Sequence, residues 1–531
     1  MRITVLCIPV VILLYLIKLS PINVDQEQRE RKYYHYATEC IENLIQYGTD
    51  NYGNTHTPVL VSILDVNTKT CPENPKKLDE YYRVTRRGRR NPAGSNLFTD
   101  QATLKSMYYL SAISGNNKYA EFAKKYSGYV MDNLVDDKNF FWWGIHRHYD
   151  VFKDEMDGHQ GNHHEIQAIT HIDWEHLWSI NKNAVTKQIE AIWEWHVINK
   201  ITGEVNRHGD GKPGCDFSMS AGAYIEAFAF LYSKTNDQLW LDRALFLADY
   251  YWNKRDTETN LFPDRPNAGL DRFDGSCFVS SITGLYCHSL LKAFELTGEC
   301  LFRDQAISYL KAYSKYGFDP KTGKYWGALQ LDGKPISGPR IYTDNIDSKE
   351  GYAAAQPRGY LDLWEPYMAG YQYAVYTAQA YAYAFHLTSE PELLLAAQQF
   401  ANWIKNTPPE SMETADTWYK NYSNNQGLQG TYADKYGRTI SFFLHLYVLT
   451  GEKQLLSEAR RFADSAINKL FENGLFKGHP AKPYYEAIDG VGYLLYALLQ
   501  LDHVLENNEK VLKMKRIIIE SSQLEMPLDN W

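Results

Sequence analysis

Five short turns recur along this chain and limit its fold more than any other feature. They are Ser114-Gly115-Asn116, Thr235-Asn236-Asp237, Thr297-Gly298-Glu299, Thr388-Ser389-Glu390 and Thr450-Gly451-Glu452, each joining two stretches of helical apolar period. A weaker copy is Ser179-Ile180-Asn181, and successive copies stand 65, 56, 62, 91 and 62 residues apart. Each reads as a helix end, a turn, and a polar residue opening the next helix. Recurrence of this kind signals one stacked supersecondary unit rather than a string of unrelated domains. Tyr33–Gln46 and Tyr485–Leu505 supply further helices, so the pattern predicts an all-α, α/α toroid of about six to seven helical hairpins. An open α-solenoid uses the same unit. The long Gly- and Trp-rich interruptions at 136–163, 203–216, 255–276 and 318–366 favour the closed ring, since they look like site-building loops.

The ends are set apart from this repeat. Met1 and Arg2 precede an apolar run from Ile3 to Ile17, followed by Lys18 and Pro21. That order reads as a secretory signal over residues 1–20, and the run is short of the roughly 20 residues that span a bilayer. An uncleaved anchor is the alternative. The organisation expected is therefore 1–20 signal, 21–505 a single catalytic toroid and 506–531 a polar, partly helical tail. A formal charge of −9 lacks the basic footprint of a nucleic-acid binder, so no nucleic-acid partner is expected. No membrane partner is expected unless the signal stays uncleaved. The six cysteines beyond the signal show no C-x-x-C spacing, which argues against a zinc knuckle.

The loops carry the chemistry. Phe140 to Asp150 reads FFWWGIHRHYD; Gly161-Asn162-His163-His164-Glu165 and Asn206-Arg207-His208-Gly209-Asp210 follow. Five of the 16 histidines (146, 148, 159, 163 and 164) fall within this region. Two His and one Glu from separate segments suit a catalytic metal with open positions. The plain alternative is a set of loops that only hydrogen-bond and solvate.

From Asn96-Leu97-Phe98-Thr99-Asp100-Gln101 onward, the chain resembles the pectate lyases of polysaccharide lyase family 2. The likeness runs through Phe141-Trp142-Trp143-Gly144-Ile145-His146, His164-Glu165-Ile166-Gln167, Trp174-Glu175-His176-Leu177-Trp178, Ile192-Trp193-Glu194-Trp195-His196 and Asn206-Arg207-His208-Gly209. The resemblance implies a toroid, a metal held by His146, Glu165 and His208, and Arg207 as catalytic base. The ion would be manganese or a similar transition metal, with calcium as an alternative. The family's second catalytic cation has no placed counterpart; Lys324 is the choice here and Lys334 the alternative. Ile145 stands where the family has glycine, His148 competes with His146, and Gly158–Asn162 looks inserted.

His148, His164, Arg272, Trp326, Arg358 and Trp364 are candidate substrate contacts. Arg83, Arg86, Arg87, Arg89 and Arg90 form a basic run, and Asn421-Tyr422-Ser423 is a glycosylation sequon. The function expected is a secreted or periplasmic enzyme cleaving an acidic polysaccharide or oligouronide by metal-dependent β-elimination. A glycoside hydrolase using two of Asp150, Asp154, Glu165, Glu194, Asp210 and Asp216 competes with it. A non-catalytic carbohydrate-binding scaffold is the third reading.

Overall fold

A computed structural model of the chain describes residues 31–73, 94–158, 164–267, 276–338, 358–364, 373–409, 430–480 and 482–520. The helices are α1 Lys32–Tyr47, α2 Leu97–Ser114, α3 Lys118–Asn133, α4 Trp174–Ile180, α5 Lys182–Ala191, α6 Ser218–Thr235 and α7 Gln238–Trp252. They continue as α8 Cys287–Thr297, α9 Cys300–Gly317, α10 Ala374–Thr388, α11 Pro391–Asn406, α12 Ala433–Thr450, α13 Lys453–Leu470 and α14 Val491–Glu520. Helix α14 is broken by non-helical backbone at Asn507.

Burial divides most of these helices into two rings; the short α4, which buries only Trp174 and Leu177, is the exception. In α12 every residue from Ala433 to Val448 is buried, whereas α13 buries only Ala459, Phe462, Ala463, Ala466 and Leu470. The first pattern belongs to a helix covered on all sides, the second to one with a single apolar stripe. Each inner helix packs on the outer helix that follows it: α2 on α3, α4 on α5, α6 on α7, α8 on α9, α10 on α11 and α12 on α13. The seventh pair joins the chain's ends, α14 on α1, and α14 also packs on α2. That contact closes the circle. Glycine permits it: a Cβ on Gly492 of α14 would lie 2.2 Å from the Thr103 nitrogen of α2. The strand Ile63–Asp65 pairs antiparallel with Tyr484–Glu486 and seals the same junction. The fold is an α/α toroid.

The five recurrent turns are one device used repeatedly. Gly115, Asn236, Gly298, Ser389 and Gly451 all adopt left-handed backbone, with φ from 55° to 78°. The preceding hydroxyl ties the turn on both sides. Thr450 donates to the Leu446 carbonyl at 2.8 Å and accepts from the Glu452 N–H at 3.2 Å; Thr297, Thr388, Thr235 and Ser114 do the same. The sixth junction differs: Asn181 has φ −145° and caps α5 through its side chain, 3.0 Å from the Ala184 nitrogen.

Successive helices alternate direction, so these tight turns all lie at one end of the ring. The long connections, from each outer helix to the next inner one, all lie at the other. Short antiparallel strand pairs, absent from an all-helical expectation, stiffen several of them: β3 Arg147–Asp150 with β4 Glu155–Gly158, and β5 Val197–Asn199 with β6 Glu204–Val205. β1 is Ile63–Asp65, and β2, Gly94–Ser95, pairs with β3. The expected signal over residues 1–20, the arginine run at 83–90 and the sequon at 421–423 lie outside the described residues.

The turns make a direct test. Ser389 holds a left-handed conformation that costs an L-residue roughly 1 kcal/mol. Ser389→Gly should therefore stabilise the protein by about 0.5–1 kcal/mol. Gly451→Ala, at a position with open space around the missing Cβ, should cost about 1 kcal/mol. Urea unfolding midpoints read both changes.

Candidate active site

The site is assembled at the long-loop end from two outer-to-inner connections, α3 to α4 and α5 to α6. Its aromatic block is scaffold. Phe140, Phe141 and Trp143 are buried, and the Trp142 indole donates to the His148 and Asp157 carbonyls, both at 3.0 Å. Gly144 then brings the chain against Glu165: φ is 110°, and a Cβ would sit 2.3 Å from the Glu165 carbonyl oxygen. Only glycine fits there. Asn96 clamps this glycine from both sides while capping α2: its amide donates to the Gly144 carbonyl at 2.7 Å, and its oxygen accepts from the Gly144 and Phe98 N–H groups. Ile145, the departure from the family pattern, is buried.

The clamp delivers His146 to a buried carboxylate. His146 Nε2 lies 2.8 Å from Glu165 Oε2, and His208 Nε2 lies 3.1 Å from the same oxygen. Arg207 Nε is 3.8 Å from Oε1, and Gln167 donates to Oε1 through a very short contact. Burial alone would push the Glu165 carboxyl up; the Arg207 and His146 charges, with hydrogen bonds from His146 and His208, outweigh it and hold it well below the usual carboxylate range. One ligand atom from each of His146, Glu165 and His208 falls within 4.8 Å of the others. Two imidazoles and one carboxylate so placed fit a divalent transition ion with positions left open.

The loop bearing Arg207 and His208 is fixed from beneath by a buried relay that the sequence did not reveal. The Trp143 indole can only donate, so His164 Nε2, 3.1 Å away, accepts. His164 Nδ1–H then donates to His196 Nε2 at 2.8 Å, and His196 Nδ1–H donates to the Asn206 carbonyl at 2.8 Å. Asn206, fully buried, accepts the His208 N–H at 2.8 Å and donates to Asp210 and the Lys212 carbonyl. Arg207 lies over the Phe217 ring at 4.5 Å; Arg265, not singled out in the sequence, lies 4.9 Å from the same ring.

Several expected contacts sit elsewhere. His164 has no open face: it is fully buried, stacked on Phe140 at 3.9 Å, and held by the relay. Trp364 is also interior, its indole donating to the Thr407 carbonyl, so it offers no stacking face. His148 faces Asp150 and Asp157 rather than Glu165, which separates it from His146. Trp326 is half-buried and stacks on Tyr360 at 4.2 Å; Arg358 is exposed. Lys324 lies in a two-residue strand with its ammonium 5.8 Å from the Tyr360 ring, and Lys334 is paired with Asp332 at 2.6 Å. Arg272 falls outside the described residues.

Residues 81–221 match the family model of periplasmic pectate lyase. A pectate disaccharide-lyase of Dickeya dadantii is 28% identical over 120 residues, a stretch amounting to 22% of each protein. Solved structures similar over most of the chain include a cellobiose 2-epimerase from Bacillus thermoamylovorans, 9% identical with a TM-score of 0.47 over 90% of this chain and 100% of that one. Another is a family 76 glycoside hydrolase from Bacteroides thetaiotaomicron, 13% identical with a TM-score of 0.45 over 88% and 77%.

The relay has a consequence for pH. Burial, first, and the neighbouring charges keep His164 well below the ordinary histidine value; His196 is lowered to about 4, chiefly by burial. Between about 6.5 and 4 the unfolded chain binds protons that these rings refuse, so stability is full above 6.5 and falls as pH drops through that window. Thermal midpoints measured from pH 7 to pH 4 should decline, and His196→Asn should flatten part of that decline. A level profile would contradict a neutral pair.

Proposed function

We propose that this protein is an exported enzyme that cleaves a 4-linked polyuronate such as pectate by metal-dependent β-elimination. The observation carrying the reading is the convergence of His146, His208 and Arg207 on the buried Glu165 carboxylate, inside the 81–221 segment that matches the pectate lyase model. Elimination removes the C5 proton, which lies α to the uronate carboxylate. An ionised carboxylate barely acidifies that proton, so the site needs positive charge next to it. His146, Glu165 and His208 would hold a divalent ion there, which when bound would supply that charge as a Lewis acid.

The chain's own groups divide the remaining work. Arg207, backed by the Phe217 ring, offers a planar fork that grips a carboxylate in two hydrogen bonds. As a base it faces an obstacle, because Glu165 at 3.8 Å favours the charged guanidinium. As a base, Arg207 would need the Glu165 charge offset, as a cation held by His146, Glu165 and His208 would do; as a carboxylate clamp it needs no such change. The relay from Trp143 to Asn206 keeps Arg207 and His208 in register with Glu165. Extra binding energy would come from the cationic and aromatic groups of the neighbouring long loops, with Lys324, Trp326 and Arg358 as candidates.

The hydrolase alternative is weakened by what its carboxylates already do. Glu165 is spent on the histidines, Asp154 accepts the Asn54 and Thr55 N–H groups, and Asp216 accepts the Tyr250 hydroxyl at 2.7 Å in the interior. Asp210 holds Asn206, and Glu194 pairs with Lys200.

Polygalacturonate digestion followed by ultraviolet absorbance tests the reading, since only elimination creates a conjugated 4,5-double bond. Chelation should abolish the signal and added manganese restore it. Glu165→Gln should lose activity together with the one equivalent of metal that His146, Glu165 and His208 would hold. Arg207→Lys should keep the metal; a base would lose turnover by roughly 10²–10⁴-fold, a clamp mainly substrate affinity. Unaltered kinetics in Arg207→Lys would remove this residue from the mechanism.

A further inference from the structure

A second set of ligand-type side chains lies on the β3–β4 hairpin, one residue beyond His146. Antiparallel pairing sets His148 opposite Asp157 and Asp150 opposite Glu155. Side chains alternate along a strand, so all four belong to one face of the hairpin. A His148 ring nitrogen and one oxygen each of Asp150 and Asp157 lie within 4.8 Å of one another. Lys153, from the turn, sends its ammonium onto this face, 3.1 Å from Asp150, 3.2 Å from Asp157 and 3.6 Å from Glu155. Three carboxylates against one ammonium leave two negative charges unbalanced.

The histidine points independently to a ligand. His148 is only 6% exposed, and its Nδ1 is shut off from water with no hydrogen-bond partner. Buried polar atoms are almost always satisfied, so an orphaned ring nitrogen beside a surplus of carboxylates calls for an explanation. Its surroundings are fixed rather than adaptable. Gly94 backs the ring, where a Cβ would lie 2.3 Å from Cδ2, and the Trp142 indole pins the His148 and Asp157 carbonyls.

We propose that His148, Asp150 and Asp157 form a second divalent-cation site, separate from His146, Glu165 and His208, in which Lys153 is the native occupant that a metal displaces. One imidazole with two or three carboxylates suits manganese, cobalt or zinc rather than a soft ion. The Glu155 carboxylate, freed when Lys153 leaves, is available as a further oxygen donor. A cation here would tie the hairpin turn to the strand that leads out of His146, so its role is to stiffen the wall of the first site. The assignment does not depend on the lyase reading.

Manganese binding to the full-length protein, followed by equilibrium dialysis with elemental analysis, tests this. In the Glu165→Gln protein, whose first site is crippled, one equivalent should remain; adding His148→Ala or Asp157→Asn should remove it. The Asp157 side chain is 41% exposed, so that second variant does not endanger the hairpin. Lys153→Met should tighten the remaining equivalent by roughly tenfold, the lower end of what neighbouring groups do to metal affinity. The assignment is overturned if Glu165→Gln binds no manganese, if Lys153→Met leaves the affinity unchanged, or if the equivalent survives both His148→Ala and Asp157→Asn and is therefore adventitious.

Discussion

Burying an ionised carboxylate is expensive unless cations and hydrogen-bond donors meet it there. Glu165 is such a group, 1% exposed, and the partners that make it tolerable come from different segments of the chain. His146 arrives on the connection after α3, while Arg207 and His208 arrive on the one after α5. Because removing any partner leaves a buried charge uncompensated, the carboxylate binds the two connections to each other. The same requirement accounts for the supporting parts. Gly144 lets the backbone come close enough, Asn96 holds that glycine, and the His164–His196 relay holds the loop that supplies His208.

The toroid makes that convergence available. Closing a ring of antiparallel hairpins separates connections by length: tight hydroxyl-tied turns at one end, long loops at the other. Stability is thus kept in the inner helices and their turns, while the loop end can vary in chemistry. The cost appears as buried polar groups. Lys482 is enclosed with Glu486 and Asp489, at 2.7 Å from the latter, at the junction where the ring closes. Arg438 is sandwiched between Tyr376 and Tyr493, each 3.9 Å away, between neighbouring inner helices. A buried ion pair such as that of Lys482 is by itself weak evidence for stability.

Much of this was legible before any coordinates. The turn residues announced the hairpins because left-handed backbone has few suitable occupants, and Gly115, Gly298 and Gly451 are among them. The blocks around His146, Glu165 and Arg207-His208 were legible because imidazole, carboxylate and guanidinium are chemically marked. Aromatic and histidine residues were harder. His164 and Trp364 look from the sequence like cleft residues, and each is buried with its polar atom satisfied by a partner distant in the chain. A residue type reveals what it can bond, not whether water or protein supplies the bond.

The sequence by itself determined the repeat, the helical class, the candidate ligands and the loops that bear them, because those rest on local periodicity, turn chemistry and residue type. Tertiary structure alone decided which histidine meets which carboxylate. His146 and His148 are two residues apart and chemically identical, yet one faces Glu165 and the other Asp150 and Asp157. Their difference comes from the close approach of Gly144 to Glu165 and the cross-strand partner that β4 sets opposite His148. Both are contacts between backbone segments, and no property of a side chain read singly encodes them.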